Sequence, residues 1–220
     1  MKNLFFAALL ASGMAQAAET DLARFDQQLD GAQRVIVVTP EAGIQGKTSA
    51  YEYRPQEGRW VRVAGPFDSV LGRKGFAQPG AKREGDGKTP SGIYALGDAF
   101  GYADQIDTRL RYRRSGPDDF WVDDVESPNY NQWVHGNPNA KSFEKMHRDD
   151  WLYKAGMVVE YNTAPVVKGA GSAIFLHVWR SPNKPTAGCV AMEEANILAV
   201  LHWLDPAQKP RVILNPGALK

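Results

Sequence analysis

Residues 173–204 read AIFLHVWRSPNKPTAGCVAMEEANILAVLHWL, and this stretch carries the signals that decide the fold. It opens with a hydrophobic run typical of a buried strand, and His177 stands near the end of that run. A loop containing Pro and Lys follows and leads to Thr186-Ala187-Gly188-Cys189. Over residues 193–204, apolar side chains recur at every third or fourth position after two acidic residues. The stretch therefore predicts a strand, a loop and a helix placed directly after Cys189.

The rest of the chain is rich in short β-branched and aromatic runs bounded by Gly, Pro, Asn or Asp, which predicts a mainly β fold. Residues 20–29 have the spacing of a short amphipathic helix, and residues 72–89 and 116–138 are predicted to be long irregular loops. No repeat or linker divides the chain, so residues 18–220 are predicted to form one domain. The predicted strands are 34–39, 50–54, 60–64, 92–96, 157–161, 173–178 and 211–214.

Composition and charge exclude several functions. The 220 residues carry 26 Lys and Arg against 25 Asp and Glu, a net charge of +1, with no basic run. This balance lacks the electrostatic footprint of a protein that binds nucleic acid or anionic lipid. The single cysteine, Cys189, cannot form an internal disulfide or a Cys-rich zinc site. Because His135, His147 and His202 show no metal-ligand spacing, no metal is expected.

The N-terminal 17 residues have the pattern of an export signal. Lys2 is followed by an apolar stretch from Leu4 to Ala11 and by Ala15-Gln16-Ala17, a small-x-small cleavage site. The apolar stretch is too short to span a bilayer, and nothing after it resembles a transmembrane helix. We therefore expect a mature chain that begins near Ala18 and acts in the periplasm or outside the cell.

Cys189 and His177 have the types and placement of a thiol nucleophile and its base. A helix starting just after Cys189 would turn its free N–H groups and positive dipole end toward the thiol and favour thiolate. An imidazole on a neighbouring strand can accept the thiol proton and pass it to a leaving amine. Gly188 permits a tight turn, so the N–H groups of residues 188–190 can form an oxyanion hole. The alternative is that Cys189 is a small buried core residue.

These residues resemble the L,D-transpeptidase catalytic domain, or YkuD domain, of bacterial cell-wall enzymes. His177 with the 186–189 segment is similar to the family's His followed by Ser/Thr-x-Gly-Cys, and DGKTPSGIY at 86–94 is similar to its Thr-Pro-x-Gly strand. With VEYN at 159–162, the resemblance spans about residues 35–216. It implies a β-sandwich whose Cys attacks a peptidoglycan stem peptide after an L-centre, forms a thioacyl enzyme and transfers the acyl group to an amine, without a cofactor.

The resemblance also implies roles for single residues. Cys189 would be the nucleophile, His177 the general base and acid, Gly188 an oxyanion donor, and Thr186 would line the site. Many family members have a His before the Gly and an Arg two positions after the Cys, where this chain has Ala187 and Ala191. The candidates for binding a substrate carboxylate in place of that Arg are Arg180 and Lys184, although both can equally be solvated loop charges.

Three functions remain open from the sequence. The first is transpeptidation, and the second is hydrolysis of the same thioester, which would make the protein an L,D-carboxypeptidase or endopeptidase. The third is a non-catalytic wall-binding module in which Cys189 is only part of the core. Asp123 and Asp124 could hold an acceptor ammonium in an enzyme of the first kind, or could simply be solvated turn residues.

Overall fold

The computed structural model describes residues 21–220, and the predicted export signal over Met1–Ala17 lies outside the described residues. Among residues 21–220, no helix is both long enough and apolar enough to cross a membrane. The described chain contains strands β1 (Arg34–Pro40), β2 (Gln45–Arg54), β3 (Arg59–Val70), β4 (Gly92–Gly101), β5 (Tyr112–Arg114), β6 (Asp119–Val122), β7 (Trp133–His135), β8 (Phe143–Lys145), β9 (Ala155–Val159), β10 (Phe175–Val178), β11 (Val190–Met192) and β12 (Arg211–Leu214).

The helices are few and short, as predicted. They are α1 (Asp26–Leu29), α2 (Glu194–Trp203) and 3-10 helices at Ala23–Phe25, Pro206–Gln208 and Pro216–Ala218. The mainly β fold class is therefore confirmed, and each predicted strand overlaps an observed one. Five of the seven predicted segments contribute buried side chains to the main sheet, whereas 60–64 and 92–96 are at most partly buried.

The main sheet closes on itself, which the sequence did not predict. Its order is β12-β1-β2-β3-β11-β10-β9-β4-β5, and β12 also pairs with β4. β12 runs parallel to β1 and antiparallel to β4, so the strand from the C-terminal end of the chain joins two strands from its first half. The closed ring encloses a core to which β9, β10, β11 and α2 all contribute.

A second, three-stranded sheet lies within the region predicted to be irregular. β6 pairs antiparallel with both β7 and β8. The prediction of an irregular loop over residues 116–138 was therefore wrong for β6 and β7. These strands are only four and three residues long, too short for an alternating pattern to stand out. The small sheet contributes Trp121, which packs edge-on against Phe175 of β10 at 5.1 Å between ring centroids.

The helix predicted over residues 193–204 is observed as α2, but Cys189 does not lead directly into it. β11 occupies Val190–Met192, and α2 starts only at Glu194. β11 runs parallel to β10, with Leu176 opposite Val190 and His177 opposite Ala191. The apolar residues after Cys189 form this strand because they lie between β10 and β3 in the sheet before the chain turns into α2.

Candidate active site

One cavity of about 420 Å³ contains both of the predicted catalytic side chains in its wall. His177 projects from β10, and Cys189 immediately precedes β11. Because β10 and β11 are neighbours in parallel register, His177 and Cys189 lie near each other in the sheet although twelve positions separate them in sequence. The wall also includes all the other predicted site residues, namely Thr186, Gly188, Arg180 and Lys184.

The Cys189 thiol is held by backbone groups of the β10 side. Its Sγ–H donates to the Ala173 carbonyl at 3.2 Å, and its Sγ accepts the Phe175 N–H at 3.4 Å. The residue is 6% exposed and packs in a cluster with the rings of Phe100 and Tyr153. Within the described chain neither thiol hydrogen bond reaches His177. Proton transfer to the imidazole therefore requires the thiol to rotate away from the Ala173 carbonyl.

His177 is fixed in one tautomer and one ring orientation. Its Nδ1 lies 2.8 Å from the Val178 carbonyl oxygen, which can only accept, so Nδ1 carries the proton. Nε2 is then the unprotonated nitrogen that can act as a base. The ring of Tyr153 packs edge-on against the imidazole at 5.1 Å between centroids. This contact limits rotation of the imidazole in the resting site.

Burial keeps both groups neutral. It raises the pKa of Cys189 to about 12, with the Phe175 N–H acting weakly in the opposite direction. It lowers the pKa of His177 to about 4, opposed by hydrogen bonds to backbone carbonyls. The expectation of a thiolate favoured by a helix N-terminus was wrong, because β11 separates Cys189 from α2. At neutral pH the resting pair is a thiol and a neutral imidazole.

Alkylation of the thiol measures this state directly. We expect the rate of Cys189 labelling by iodoacetamide to be low at pH 7 and to rise about tenfold per pH unit up to pH 10, because the reactive thiolate is rare below a pKa of about 12. A free cysteine, run as the control, levels off above about pH 9. Labelling that is fast and independent of pH above pH 6 would show instead a resting thiolate–imidazolium pair.

The free energy of unfolding at acidic pH reports whether His177 is protonated in the folded protein. An unfolded His binds a proton below pH 6.5, whereas folded His177 stays neutral down to about pH 4, so the unfolded state binds more protons in this window. The free energy of unfolding therefore falls as the pH drops from 6.5 to 4, by about 3 kcal/mol from this group. His177→Gln should lose this part of the slope in denaturant titrations. Equal slopes for the two proteins would contradict a buried, neutral His177.

The turn before Cys189 uses one of the predicted oxyanion donors. The Gly188 N–H donates to the Thr186 hydroxyl oxygen at 3.1 Å, and the Thr186 hydroxyl donates to the Cys189 carbonyl at 2.6 Å. Among the described residues the Cys189 N–H has no protein acceptor, which leaves it as the amide available to an oxyanion. Thr186 thus organises the turn as well as lining the cavity.

Thr89 supports the same turn and was not predicted as a site residue. Its side chain is fully buried, accepts the Gly72 N–H at 2.9 Å and donates to the Cys189 carbonyl at 3.4 Å. Two hydroxyls, those of Thr89 and Thr186, therefore meet at the Cys189 carbonyl. The signal in the sequence was the DGKTPSG segment, which was noted for its resemblance to a strand and not for this contact.

Comparison with known families agrees with this geometry. The family model described as the L,D-transpeptidase catalytic domain, YkuD, matches residues 34–213. The chain belongs to this family. No curated protein and no solved structure matches the chain. Membership in the L,D-transpeptidase catalytic domain family implies a cysteine-dependent enzyme that acts on peptidoglycan.

In this L,D-transpeptidase-family site, the two predicted carboxylate binders differ in their surroundings. Arg180 is half-exposed and pairs with Asp150 at 2.9 Å. Asp150 is also paired with Arg148 at 2.9 Å, so Arg180 belongs to a surface network of charges. Lys184 lies in the exposed loop before Thr186 and lines the mouth of the cavity.

Asp123 and Asp124, the two acidic residues singled out from the sequence, also differ in their surroundings. Asp123 lines the cavity, where burial raises its pKa, and it accepts a hydrogen bond from Ser142. Asp124 lies outside the cavity wall and accepts the backbone N–H groups of Lys141 and Glu126. Only Asp123 can therefore contact a ligand in the cavity, while Asp124 fixes a turn.

Several further charged residues of the cavity wall were missed because they come from loops and short strands remote in sequence. They are Arg73, Lys82, Glu84, Glu144 and Arg148. Glu144 accepts from Arg148 at 3.1 Å and from the Tyr153 hydroxyl at 3.4 Å, and burial raises its pKa. Within residues 21–220, no group of three or more His, Cys, Asp or Glu side chains is placed to hold a metal ion.

Proposed function

We propose that the protein is a peptidoglycan L,D-transpeptidase in which Cys189 forms a thioacyl enzyme with a stem peptide and transfers the acyl group to an amine. The observation that carries the proposal is the placement of both side chains in the wall of one cavity, with His177 on β10 and Cys189 directly before the neighbouring parallel strand β11. Family membership supplies the coarse function, an enzyme of the L,D-transpeptidase family that acts on peptidoglycan.

The first half-reaction starts from the neutral pair. As the thiol sulfur attacks the carbonyl carbon after the L-centre of the donor stem, its proton passes to Nε2 of His177. The Cys189 N–H stabilises the oxyanion of the tetrahedral intermediate. The imidazolium then gives its proton to the departing amine as the peptide bond breaks. A thioester on Cys189 and a neutral His177 remain.

The second half-reaction returns the enzyme to its resting state. An acceptor amine attacks the thioester carbonyl while the imidazole takes the proton lost by its nitrogen. The carbon–sulfur bond breaks, and the proton returns from the imidazolium to the thiolate. One Cys and one His therefore suffice for both steps. The apolar cluster behind Cys189 supports transfer, because it limits the access of water to the thioester from that side.

Product analysis tests transfer against hydrolysis. The purified protein would be incubated with disaccharide tetrapeptides, with and without a competing D-amino acid, and the products weighed by mass spectrometry. Transfer predicts cross-linked dimers and, with the competitor, a tetrapeptide with its terminal residue exchanged. If tripeptides are the only products under both conditions, the enzyme is an L,D-carboxypeptidase and the transferase proposal is wrong. Cleaved cross-links in isolated wall material would instead indicate an endopeptidase.

The proposed substrate lies outside the cytoplasm, so the proposal includes export. Lys2, the apolar stretch from Leu4 to Ala11 and the Ala15-Gln16-Ala17 cleavage site support it. N-terminal sequencing of the protein recovered from the periplasm or medium should give a mature chain starting near Ala18. Retention of an intact N-terminus in the cytoplasm would contradict this part of the proposal.

A further inference from the structure

Lys82 is a buried cation in the wall of the active-site cavity. Its side chain is only 5% exposed. The ammonium donates to the Arg83 carbonyl at 2.7 Å and to Asp86 Oδ1 at 2.8 Å. Lysine has three N–H donors, and among the described residues the third has no acceptor. An ammonium hydrogen without a partner is costly in a buried place, so it indicates a position for an anionic oxygen.

Asp86, the carboxylate partner of Lys82, also accepts hydrogen bonds from the backbone. Asp86 accepts the backbone N–H groups of Arg83 and Lys88, each at 2.8 Å, in addition to the ammonium. The carboxylate is therefore fixed by the loop and cannot turn toward the third ammonium hydrogen. These contacts hold the loop, and with it the Lys82 side chain, in one place before any substrate arrives.

Two glycines lie against the Lys82 side chain, and one of them directly precedes Cys189. A Cβ atom on Gly171 would lie 3.1 Å from Lys82 Cγ and 3.2 Å from Nζ. On Gly188, the residue before Cys189, it would lie 3.8 Å from Lys82 Cε. Gly171 also has a φ of +109°, which side-chain-bearing residues rarely adopt. The Cε end of the side chain thus lies beside the turn that carries Cys189, and Lys82 and Cys189 line the same cavity.

We propose that Lys82 is the carboxylate-binding residue of this active site and holds a carboxylate of the donor peptide next to the scissile bond. Arg180, one candidate from the sequence, is half-exposed and already paired with Asp150. Lys184, the other, is in an exposed loop. Lys82 combines burial, a fixed position near Gly188 and an unused donor. It thereby supplies the positive charge that Ala191 lacks where many family members have Arg.

This inference rests on the proposed function, and its first test uses three donors. They are the tetrapeptide with all carboxylates free, the same peptide amidated at its terminal carboxylate, and the same peptide amidated at the side-chain carboxylate of the attacked residue. For the wild-type protein we expect one of the two amidations to raise KM about tenfold, since a hydrogen bond to a charged group is lost. The affected donor identifies the carboxylate.

The matched variants are Lys82→Met, which keeps most of the apolar stem of the side chain without its charge, and Lys74→Met, which changes an exposed lysine outside the cavity wall. In Lys82→Met the free and amidated donors should have KM values within about twofold of each other, while Lys74→Met should keep the wild-type difference. Equal KM values for all donors in the wild type, or an unchanged difference in Lys82→Met, would overturn the inference. Lys82→Gln replaces Lys82→Met if thermal unfolding shows that the latter does not fold.

A second readout needs no turnover, so it separates failure of this inference from failure of the proposed function. N-acetyl-D-alanine and its primary amide would be compared as protectors of Cys189 against iodoacetamide at pH 9. The carboxylate should protect the wild type and Lys74→Met at a concentration about tenfold lower than the amide, and this preference should vanish with Lys82→Met. Equal protection by the two compounds in the wild type would count against Lys82 even if transpeptidation is found.

Discussion

Cys189→Ala should lose all measurable cross-linking of tetrapeptide muropeptides, a fall of at least about a thousandfold in turnover. The thiol is the only one in the chain, so no second nucleophile of this type can replace it. Because Cys189 is buried, the smaller side chain also leaves a small cavity, at a cost of about 1 to 2 kcal/mol in unfolding free energy. Product formation, measured by mass spectrometry against the wild type, is the readout.

Thermal unfolding is the control for this variant, because it shows whether the protein still folds. Near-native thermal unfolding of Cys189→Ala together with lost turnover locates the effect in the chemistry. A variant that folds and still cross-links would remove Cys189 from the reaction and favour the wall-binding module, in which the thiol is only a core residue.

His177→Gln is expected to lower kcat about a hundred- to ten-thousandfold, because glutamine can neither accept the thiol proton nor protonate the leaving amine. KM should change little, since the imidazole acts on the reacting atoms. The wild-type kcat/KM should stay flat from about pH 5 to pH 9, because burial holds the pKa of His177 at about 4. A kinetic limb near pH 6.5 would instead indicate a solvated imidazole.

His202→Gln is the matched control, since that imidazole is exposed on α2 and pairs with Asp107. It should keep the wild-type kcat. If His177→Gln retained full turnover, or if both variants lost it equally, the assignment of His177 as base and acid would not stand. Iodoacetamide labelling at pH 10 should remain similar in His177→Gln, because hydroxide forms the thiolate there without the imidazole.

The sequence located most of the main sheet, and the two catalytic residues that it predicts lie in the wall of one cavity. Hydrophobic runs such as 34–39 and 173–178 coincide with buried strands, because burying apolar side chains stabilises the fold. Cys189 and His177 stood out by residue type and by their place between a strand and a helix. Strands and reactive residues of this kind can be predicted from one continuous segment of the sequence.

Features that depend on contacts remote in sequence were missed. The pairing of β12 with β1 and β4, which closes the sheet, leaves no local signal. β11 is only three residues long and was not predicted between Cys189 and the helix. The surroundings of Cys189 were therefore expected to favour thiolate, whereas burial raises the pKa of the thiol. Lys82 lies in the cavity wall beside Gly171 and Gly188, which are remote from it in sequence, so no local pattern marks it as a site residue.

The most direct test of the central claim is the intact mass of the protein after brief mixing with a tetrapeptide donor in the absence of an acceptor amine. Formation of the thioacyl enzyme predicts a gain equal to the donor mass less its departed terminal residue. Proteolysis should place the adduct on the peptide that contains Cys189, and hydroxylamine should remove it. Products that accumulate without any adduct on that peptide, or an adduct on another residue, would contradict catalysis by Cys189.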